Sequence, residues 1–379
     1  MNKKDKTVFV GVSGGVDSSV SAALLKEEGY NVVGVFIKVW QPDFLPCEWE
    51  KERIDAIRVC VRLDIPFMTL DLEKEYKEEV ADYMISEYKI GRTPNPDVMC
   101  NKYIKFGSFL SFAKENGADY IATGHYARIV ESKKLKVTTL FPLVRSSLGN
   151  KKCPCGESKN GSEFKLLQGV DDNKDQTYFL WTLTQKELGS VLFPVGKYKK
   201  DKVRKLAKKY DLLTAEKKDS QGICFLGQVD LEEFLGHYLD LKEGEVLNTK
   251  GEAVGVHSGA EIYTMGQRHG FTIDEKDTER EPYYVVSKDI EKNTVTVSHE
   301  QNDKDFNKKE ISLEGVNWIT SAPKEGKEYT ARIRHRGELH PCTVSGNSVS
   351  FKEPQYGLAV GQSLVLFDEE ECIGGGIVS

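Results

Sequence analysis

Several features that would narrow the class of this 379-residue protein are missing from its sequence. No run of 18 apolar residues occurs, so we expect no membrane-spanning helix. The N-terminal stretch MNKKDKTVFVGV passes from basic residues straight into a strand-like segment without a cleavage site, so it lacks the pattern of a signal peptide and predicts a cytoplasmic location. A net charge of −6 gives no general excess of basic residues, so any nucleic-acid binding must depend on local basic surface.

Cysteine is too sparse for a disulfide scaffold. Eight cysteines in a chain of this length do not form the dense disulfide framework of a small secreted domain, so a chemical role must be argued for each cysteine separately. We find no internal repeat. With 39% hydrophobic residues, the chain can bury more than one core, and two or three domains are expected.

Strand-like and helix-like segments alternate over roughly the first 125 residues. Strands are predicted at 7–12, 31–39, 67–72 and in ADYIATGH (118–125), and helices at 18–28, 48–63, 74–88 and 101–116. This order predicts an α/β fold with a parallel sheet covered on both faces and ligands at the carboxyl ends of its strands. Further helical patterns occur at 175–188 and 199–210.

The character of the chain then changes twice. Residues 131–165 are polar and resemble an insert, whose Cys153 and Cys155 could bind a metal or be plain loop cysteines. From about residue 240, short alternating segments between glycine turns indicate an antiparallel barrel or sandwich. We therefore predict a catalytic domain at 1–226, a small central domain at 227–290 and a C-terminal β-barrel at 291–379.

The stretch GVSGGVDSSV (11–20) joins the first strand to the first helix. Gly14 and Gly15 allow a tight turn with backbone N–H groups close to an anion, and serines add hydroxyl donors. The helix adds its positive end, which Asp17 could cap. No Gly-Lys-[Ser/Thr] follows, so this is not a Walker loop.

The string SGGVDS (13–18), called the phosphate loop below, resembles the PP-loop of ATP pyrophosphatases, which adenylate a substrate oxygen. The resemblance implies an α/β fold of this type and ATP as the cofactor, with Mg²⁺ offsetting the charge of its phosphates. It also implies an ATP site formed by Gly11, Val12, Ser13, Gly14, Gly15, Val16, Asp17, Ser18, Ile37 and Gly124. It implies no metal site of the protein's own.

Five further motifs narrow the resemblance. TPNPDVMCNKYIKFG, TGHYAR, NKDQTYFLW, KKDSQGICFLG and YTMGQRHGF resemble, in this order, the motifs of the bacterial tRNA-specific 2-thiouridylases. Membership would imply ATP-dependent 2-thiolation of the wobble uridine 34 of tRNAs for Lys, Glu and Gln. The implied partners are tRNA and a sulfur donor, either a cysteine desulfurase or a relay protein, and we expect a monomer.

The resemblance also implies roles for two cysteines. Cys224 would carry a persulfide, Cys100 would be the partner thiol and Asp97 an acid–base residue. Sulfur transfer needs such thiols because one can attack the persulfide of the other and free its terminal sulfur, leaving a disulfide. From its position at a predicted helix start we expect a lowered pKa for Cys100. We also expect the two cysteines to meet only when tRNA binds.

The residues implied to contact tRNA are Asn95, Pro96, Asp97, Lys174, Asp175, Gln176, Arg334 and His335. In YTARIRHRG, strand alternation would place Arg332, Arg334 and Arg336 on one face, where phosphates could meet them. Two other functions stay open: an adenylating ligase, which needs no paired thiols, and a non-catalytic tRNA-binding protein, which needs no intact phosphate loop.

Overall fold

The computed structural model describes residues 3–45, 49–133, 162–219, 222–227, 229–274, 281–300 and 307–379. The strands are β1 (Thr7–Gly11), β2 (Asn31–Lys38), β3 (Phe67–Asp71), β4 (Tyr120–Ala122), β5 (Ala127–Lys133), β6 (Ser162–Gln168), β7 (Val191–Leu192), β8 (Gly244–Leu247), β9 (Ala253–His257), β10 (Phe271–Ile273), β11 (Tyr284–Asp289), β12 (Thr294–Ser298), β13 (Lys308–Trp318), β14 (Tyr329–Arg332), β15 (Leu339–Ser345), β16 (Ser348–Gln355), β17 (Ser363–Asp368) and β18 (Glu371–Val378).

The helices are α1 (Val16–Glu27), α2 (Trp49–Arg62), α3 (Glu73–Tyr76), α4 (Asp82–Lys89), α5 (Pro96–Met99), α6 (Phe109–Glu115), α7 (Gln185–Leu188), α8 (Lys200–Lys209) and α9 (Leu231–Gly236). Two π-helical segments, Lys77–Ala81 and Cys100–Ser108, join α3 to α4 and α5 to α6. Short 3₁₀ turns lie at Lys3–Asp5, Thr177–Phe179 and Ala260–Ile262. Within these described ranges, no helix is both long and apolar enough to cross a membrane.

A parallel sheet organises the N-terminal part of the chain, with the strand order β3-β2-β1-β4-β7. The central strand β1 is apolar and buried from Val8 to Val10 because both of its faces are covered. Phe9 packs into the core on one face, whereas Val8 and Val10 pack into the core on the other. The predicted parallel sheet between two layers is therefore confirmed.

The predicted helix at 175–188 is wrong. Only the turn Thr177–Phe179 and the short α7 form there. The apolar side chains of this stretch are buried by distant partners rather than by a helical stripe. Tyr178 donates its hydroxyl to the carbonyl of Ser363 at 2.7 Å, and Trp181 donates its indole N–H to the hydroxyl of the same serine at 3.1 Å. Contacts with the C-terminal sheet thus override the local helical pattern.

The C-terminal sheet closes into an antiparallel barrel. Its order is β13-β16-β15-β14-β17-β18, and pairing of β13 with β18 completes the ring. The predicted insert begins and ends within strands, since β5 and β6 overlap its two ends and form a hairpin whose β6 pairs with β18. The barrel alternative of our prediction is confirmed. A smaller sheet, β10-β9-β8-β12-β11, lies between the parallel sheet and the barrel in sequence. The domain boundaries stay predictions, and Cys153 and Cys155 lie outside the described residues.

Candidate active site

The loop after β1 has the geometry of an anion cradle. Gly14 has φ +69°, and a Cβ there would lie 2.8 Å from the carbonyl oxygen of Glu52, so only glycine fits. The Ser13 N–H donates to the hydroxyl of Ser18 at 3.3 Å, which folds the loop over the start of α1. Helix α1 begins after Gly15 without a side-chain cap from any described residue. Its first N–H groups and its positive end can therefore serve an anion.

The prediction that Asp17 caps α1 is wrong. Its carboxylate instead accepts the Tyr126 hydroxyl at 2.7 Å and pairs with the ammonium of Lys200, 2.8 Å from both oxygens. Lys200 also lies 2.8 Å from Asp219, five residues before Cys224. The phosphate loop is thus linked through one buried lysine to the segment that leads to Cys224.

Asp219 is the centre of a cationic cluster. Its carboxylate accepts from Lys174 at 2.5 Å and from Arg204 at 2.9 Å, besides its pairing with Lys200. Burial opposes its ionisation, but the hydrogen bonds from Lys174 and Lys200 outweigh burial and lower the pKa of Asp219 to about 2. The ammonium of Lys174, predicted to contact tRNA, is engaged in this internal ion pair.

The segment after β4 packs directly on the phosphate loop. A Cβ on Gly124 would lie 2.7 Å from the backbone nitrogen of Ser18, so no side chain fits there. His125 is buried, and its Nδ1 lies 2.7 Å from the hydroxyl of Thr123. Burial lowers the pKa of His125 well below the ordinary value, so the ring is neutral. Ile37, near the carboxyl end of β2, is also buried.

Cys100 and Cys224 lie together although 124 residues separate them. Their sulfur atoms are 3.2 Å apart in the chain by itself, so the expectation that they meet only on tRNA binding is wrong. Cys224 lies in a tight turn closed by hydrogen bonds between Ile223 and Gly227. The turn is held in place because the Cys224 N–H donates to Asp97 at 2.9 Å and the Cys224 carbonyl accepts the Tyr76 hydroxyl at 2.7 Å.

The two thiols differ in acidity. Burial, and then the hydrogen bond that Cys100 donates to Cys224, raise the pKa of Cys100 well above that of a free thiol. The same hydrogen bond lowers the pKa of Cys224 despite burial, and the charge of Lys105 lowers it further. The prediction of a lowered pKa for Cys100 is therefore wrong. Its helix begins at Pro96 behind the N-cap Asn95, so Cys100 lies beyond the first turn and is fully buried.

A cavity of about 790 Å³ opens beside the turn that carries Cys224. It is lined by the predicted tRNA-contacting residues Asn95, Pro96, Asp97 and His335, together with Tyr178, Phe179, Gly222 and Ile223. The His335 ring lies on Phe179 with ring centres 4.4 Å apart, and burial lowers the pKa of His335 to about 4. The structure thus brings four of the predicted tRNA contacts to one opening next to the thiols, with aromatic rings on its wall.

The other predicted tRNA contacts make internal bonds. Asp175 is 2% exposed and accepts from Thr177 and from Arg332. The side-chain oxygen of Gln176 accepts the N–H of Tyr126. Contacts of Asp175 and Gln176 with tRNA stay predictions.

The predicted common face of three arginines is wrong. Strand β14 ends at Arg332, which is paired with Asp175, and the chain turns through Arg336, which has φ +62°. Arg334 donates to the carbonyls of Gly357 and of Met265, which lies between the Ala260–Ile262 turn and β10. A role of Arg334 in tRNA binding stays a prediction.

Sequence reasoning missed Lys105 and Tyr76 as parts of the site. Lys105 is half-buried, with its ammonium 5.5 Å from the centre of the Phe225 ring beside Cys224. Tyr76 lies below the same turn and holds its backbone. The only signal for Lys105 was its place in the same motif as Cys100, five residues away, which on an α-helix predicts a different face.

Comparisons with known proteins agree over almost the whole chain. Family models described as the tRNA methyl transferase HUP domain, the tRNA methyl transferase PRC-barrel domain and the aminomethyltransferase beta-barrel domain match residues 6–228, 232–299 and 308–378. A Bacillus subtilis (strain 168) protein named tRNA-specific 2-thiouridylase MnmA is 42% identical over 386 residues, which cover 99% of this chain and 95% of the relative. Relatives from Geobacillus kaustophilus (strain HTA426), named tRNA-specific 2-thiouridylase MnmA 2, and Listeria monocytogenes (serovar 1/2a, strain EGD-e), named tRNA-specific 2-thiouridylase MnmA, are 42% and 41% identical. Each covers 100% of this chain, with 96% and 95% of the relative.

Proposed function

This chain belongs to the family of tRNA-specific 2-thiouridylases, and on that basis we propose that it uses ATP to replace the C2 oxygen of the wobble uridine 34 by sulfur in tRNAs for Lys, Glu and Gln. The observation that carries the proposal is the thiol pair, with sulfurs 3.2 Å apart beside a cavity lined by Asn95, Pro96 and Asp97. Descriptions of the matching family models mention methyl transfer. The paired thiols and the names of the full-length relatives favour sulfur transfer instead.

The first step would be adenylation. The C2 oxygen of the uridine attacks the α-phosphate of ATP, pyrophosphate leaves, and the uridine loses its N3 proton. Gly11 to Ser18, with Ile37 and Gly124, would hold the nucleotide, since the uncapped start of α1 favours anionic phosphates. Mg²⁺ would enter with ATP, bound chiefly by its phosphates. The part of the chain that the structure describes contains no group of three acidic, His or Cys ligands, and the Asp17 carboxylate already pairs with Lys200.

The second step would deliver sulfur. The Cys224 thiolate takes a sulfane sulfur from the persulfide of a donor protein and becomes a persulfide itself. The Cys100 thiolate then attacks Sγ of Cys224. A bond forms between the two cysteine sulfurs, the bond to the terminal sulfur breaks, and the electron pair leaves with that sulfur as hydrosulfide. Hydrosulfide adds to C2, AMP leaves with the former C2 oxygen, and the proton returns to N3.

Asp97 would act as the base that activates Cys100. It lies three residues before Cys100 on the same helical face, and the pKa of Cys100 is raised, so a proton acceptor is needed before attack. Burial raises the pKa of Asp97, although its hydrogen bond from Cys224 opposes this rise, which makes it a stronger base than an exposed carboxylate. The disulfide left after one cycle must be reduced by an external thiol before the next.

The test is a reconstitution with unmodified tRNA, ATP and a persulfide donor, with 2-thiouridine measured by mass spectrometry and AMP measured in parallel. Wild-type protein should form both in equal amounts. Cys224→Ser and Cys100→Ser should each abolish thiolation, while Cys342→Ser, at a buried cysteine of the barrel strand β15, should not. Thiolation by either active-site variant would refute the two-thiol mechanism. AMP formation without 2-thiouridine would favour a ligase. Binding of tRNA without AMP formation would favour a non-catalytic tRNA-binding protein.

A further inference from the structure

The long helix that carries Cys100 is not α-helical throughout. Residues Cys100–Ser108 form a π-helical segment between α5 and α6. A π-helix closes its hydrogen bonds between residues i and i+5, and its wider turn brings residues five apart towards the same side of the helix. In an α-helix at 3.6 residues per turn, the same two residues would lie roughly 140° apart around the axis.

This difference decides where Lys105 lies, because it follows Cys100 by five residues. The π-helical segment brings Lys105 to the face of the helix that carries Cys100, whereas an α-helix would direct it to another face. We infer that Lys105 is a charge-stabilising residue of the sulfur-transfer site, placed there by the π-helical segment to stabilise the sulfur anions of Cys224. This inference rests on the proposed function, which gives those anions their role.

The surroundings of Lys105 support the inference. The positive charge of its ammonium lowers the pKa of Cys224. It lies 5.5 Å from the centre of the Phe225 ring, the residue that follows Cys224, so the turn covers it. The charges that act on Lys105 are those of Cys224, Cys100 and Asp97, and together they raise its pKa although burial lowers it. Lys105 is therefore protonated throughout the neutral range.

A fixed cation has two uses in the reaction. It stabilises the Cys224 thiolate, which must attack the donor persulfide to form the new sulfur–sulfur bond while the donor leaves as its own thiolate. It also faces the negative charge that develops when Cys100 attacks Cys224 and the terminal sulfur departs as hydrosulfide with the bonding electron pair. Both steps move charge on sulfur within reach of one ammonium group.

The first test measures the sulfur anion directly and needs neither tRNA nor ATP. Cys224 is alkylated with iodoacetamide over a range of pH, and its rate is followed by peptide mass spectrometry. In wild-type protein the rate should rise with a midpoint below 9.0, the ordinary pKa of a thiol. Lys105→Met should move the midpoint to higher pH and slow alkylation at neutral pH by about tenfold or more, because the Cys224 thiolate loses the nearby positive charge. Lys105→Arg should stay within about threefold of wild type because it keeps the charge.

A matched control lies on the same segment. Lys102 is exposed and contacts the Tyr103 ring, so Lys102→Met makes the same charge change away from the sulfurs and should behave as wild type. Buried Cys342 and Cys372 report on folding, since they react only if the variant opens. If Lys105→Met opens the protein, Lys105→Gln gives the same comparison with a polar side chain. An unchanged Cys224 profile in a folded variant without the charge would overturn the inference.

A second test separates this inference from the proposed function. In the reconstitution with tRNA, ATP and a persulfide donor, Lys105→Met should lower the rate of thiolation by about the factor seen in alkylation, and Lys105→Arg should restore it. If the wild-type protein never thiolates tRNA but Lys105→Met still slows alkylation of Cys224, the proposed function is refuted. The stabilisation of the Cys224 thiolate by Lys105 would then still hold. Normal thiolation with slow alkylation would refute the role of Lys105 in the reaction.

Discussion

Replacing Gly124 by alanine should weaken ATP binding, because the added methyl group would collide with the phosphate loop. It would lie 2.7 Å from the backbone nitrogen of Ser18 and 2.9 Å from the carbonyl carbon of Asp17. Both contacts are with backbone at the start of α1, so no side chain can rotate away. Overpacking of this kind costs about 1–3 kcal/mol. If the loop relieves the collision by moving out of its phosphate-binding shape, the dissociation constant for ATP should rise about 5- to 150-fold.

The assay is a titration of the protein with ATP, followed by calorimetry, with AMP formation measured on the same samples. Gly236→Ala is the matched control, since a Cβ at the exposed end of α9 meets nothing within 4 Å. Alkylation of Cys224 should be unchanged in both variants, because Gly124 contacts the phosphate loop and not the turn that carries Cys224. Wild-type ATP affinity in Gly124→Ala would refute the argument that α1 packs on this glycine in the nucleotide-binding state.

Two further predictions concern stability. Asp219 has a pKa of about 2 against an ordinary 3.8, so its ion pairs contribute about 2 kcal/mol above pH 3.8, and this contribution is lost as the pH falls towards 2. Asp219→Asn should therefore be less stable than wild type to urea at neutral pH, and its free energy of unfolding should fall less as the pH is lowered. An equal fall in both proteins would contradict this. Trp181→Ala should cost about 3–5 kcal/mol because the indole is 2% exposed and bonded to Ser363. Circular dichroism during urea unfolding measures this loss, and a change below about 1 kcal/mol would show that the contact with the barrel strand is not important.

The parallel sheet could be predicted because its signals are local. A continuous apolar run in β1, a glycine turn and alternating helix and strand patterns all lie within a few residues of one another. The barrel could be predicted for the same reason, from short alternating segments between turns. The stretch 175–188 could not, since its apolar residues pack against strands nearly 200 residues away.

The start of the helix that leads to Cys100 had a local signal in the sequence. Asn95 caps the helix by accepting the Val98 N–H, and Pro96 occupies the first helical position, where its missing N–H is no loss. The predicted helix began only at residue 101, and this late start led to the wrong prediction of a lowered pKa for Cys100. The cap and proline together would have placed Cys100 inside the helix.

The arrangement of the thiols depends on information that no sequence pattern carries. Cys224 reaches Cys100 because Asp97 and Tyr76 bind the backbone of its turn, and these contacts join parts of the chain over 120 residues apart. The sequence pattern of residues 101–116 likewise predicts a helix but does not distinguish a π-helical segment from an α-helix. Motif resemblance paired the cysteines, but only the fold gave their separation and placed Lys105 beside them.

The central claim is that one sulfur passes from Cys224 to tRNA while Cys100 closes a bond to Cys224. The most direct measurement is a single turnover by protein loaded with one persulfide, with tRNA and ATP but without a reductant. The products are 2-thiouridine and the peptide that links the two cysteines, both quantified by mass spectrometry. We expect one disulfide between Cys100 and Cys224 for each 2-thiouridine formed. Formation of 2-thiouridine with both thiols left free would contradict it.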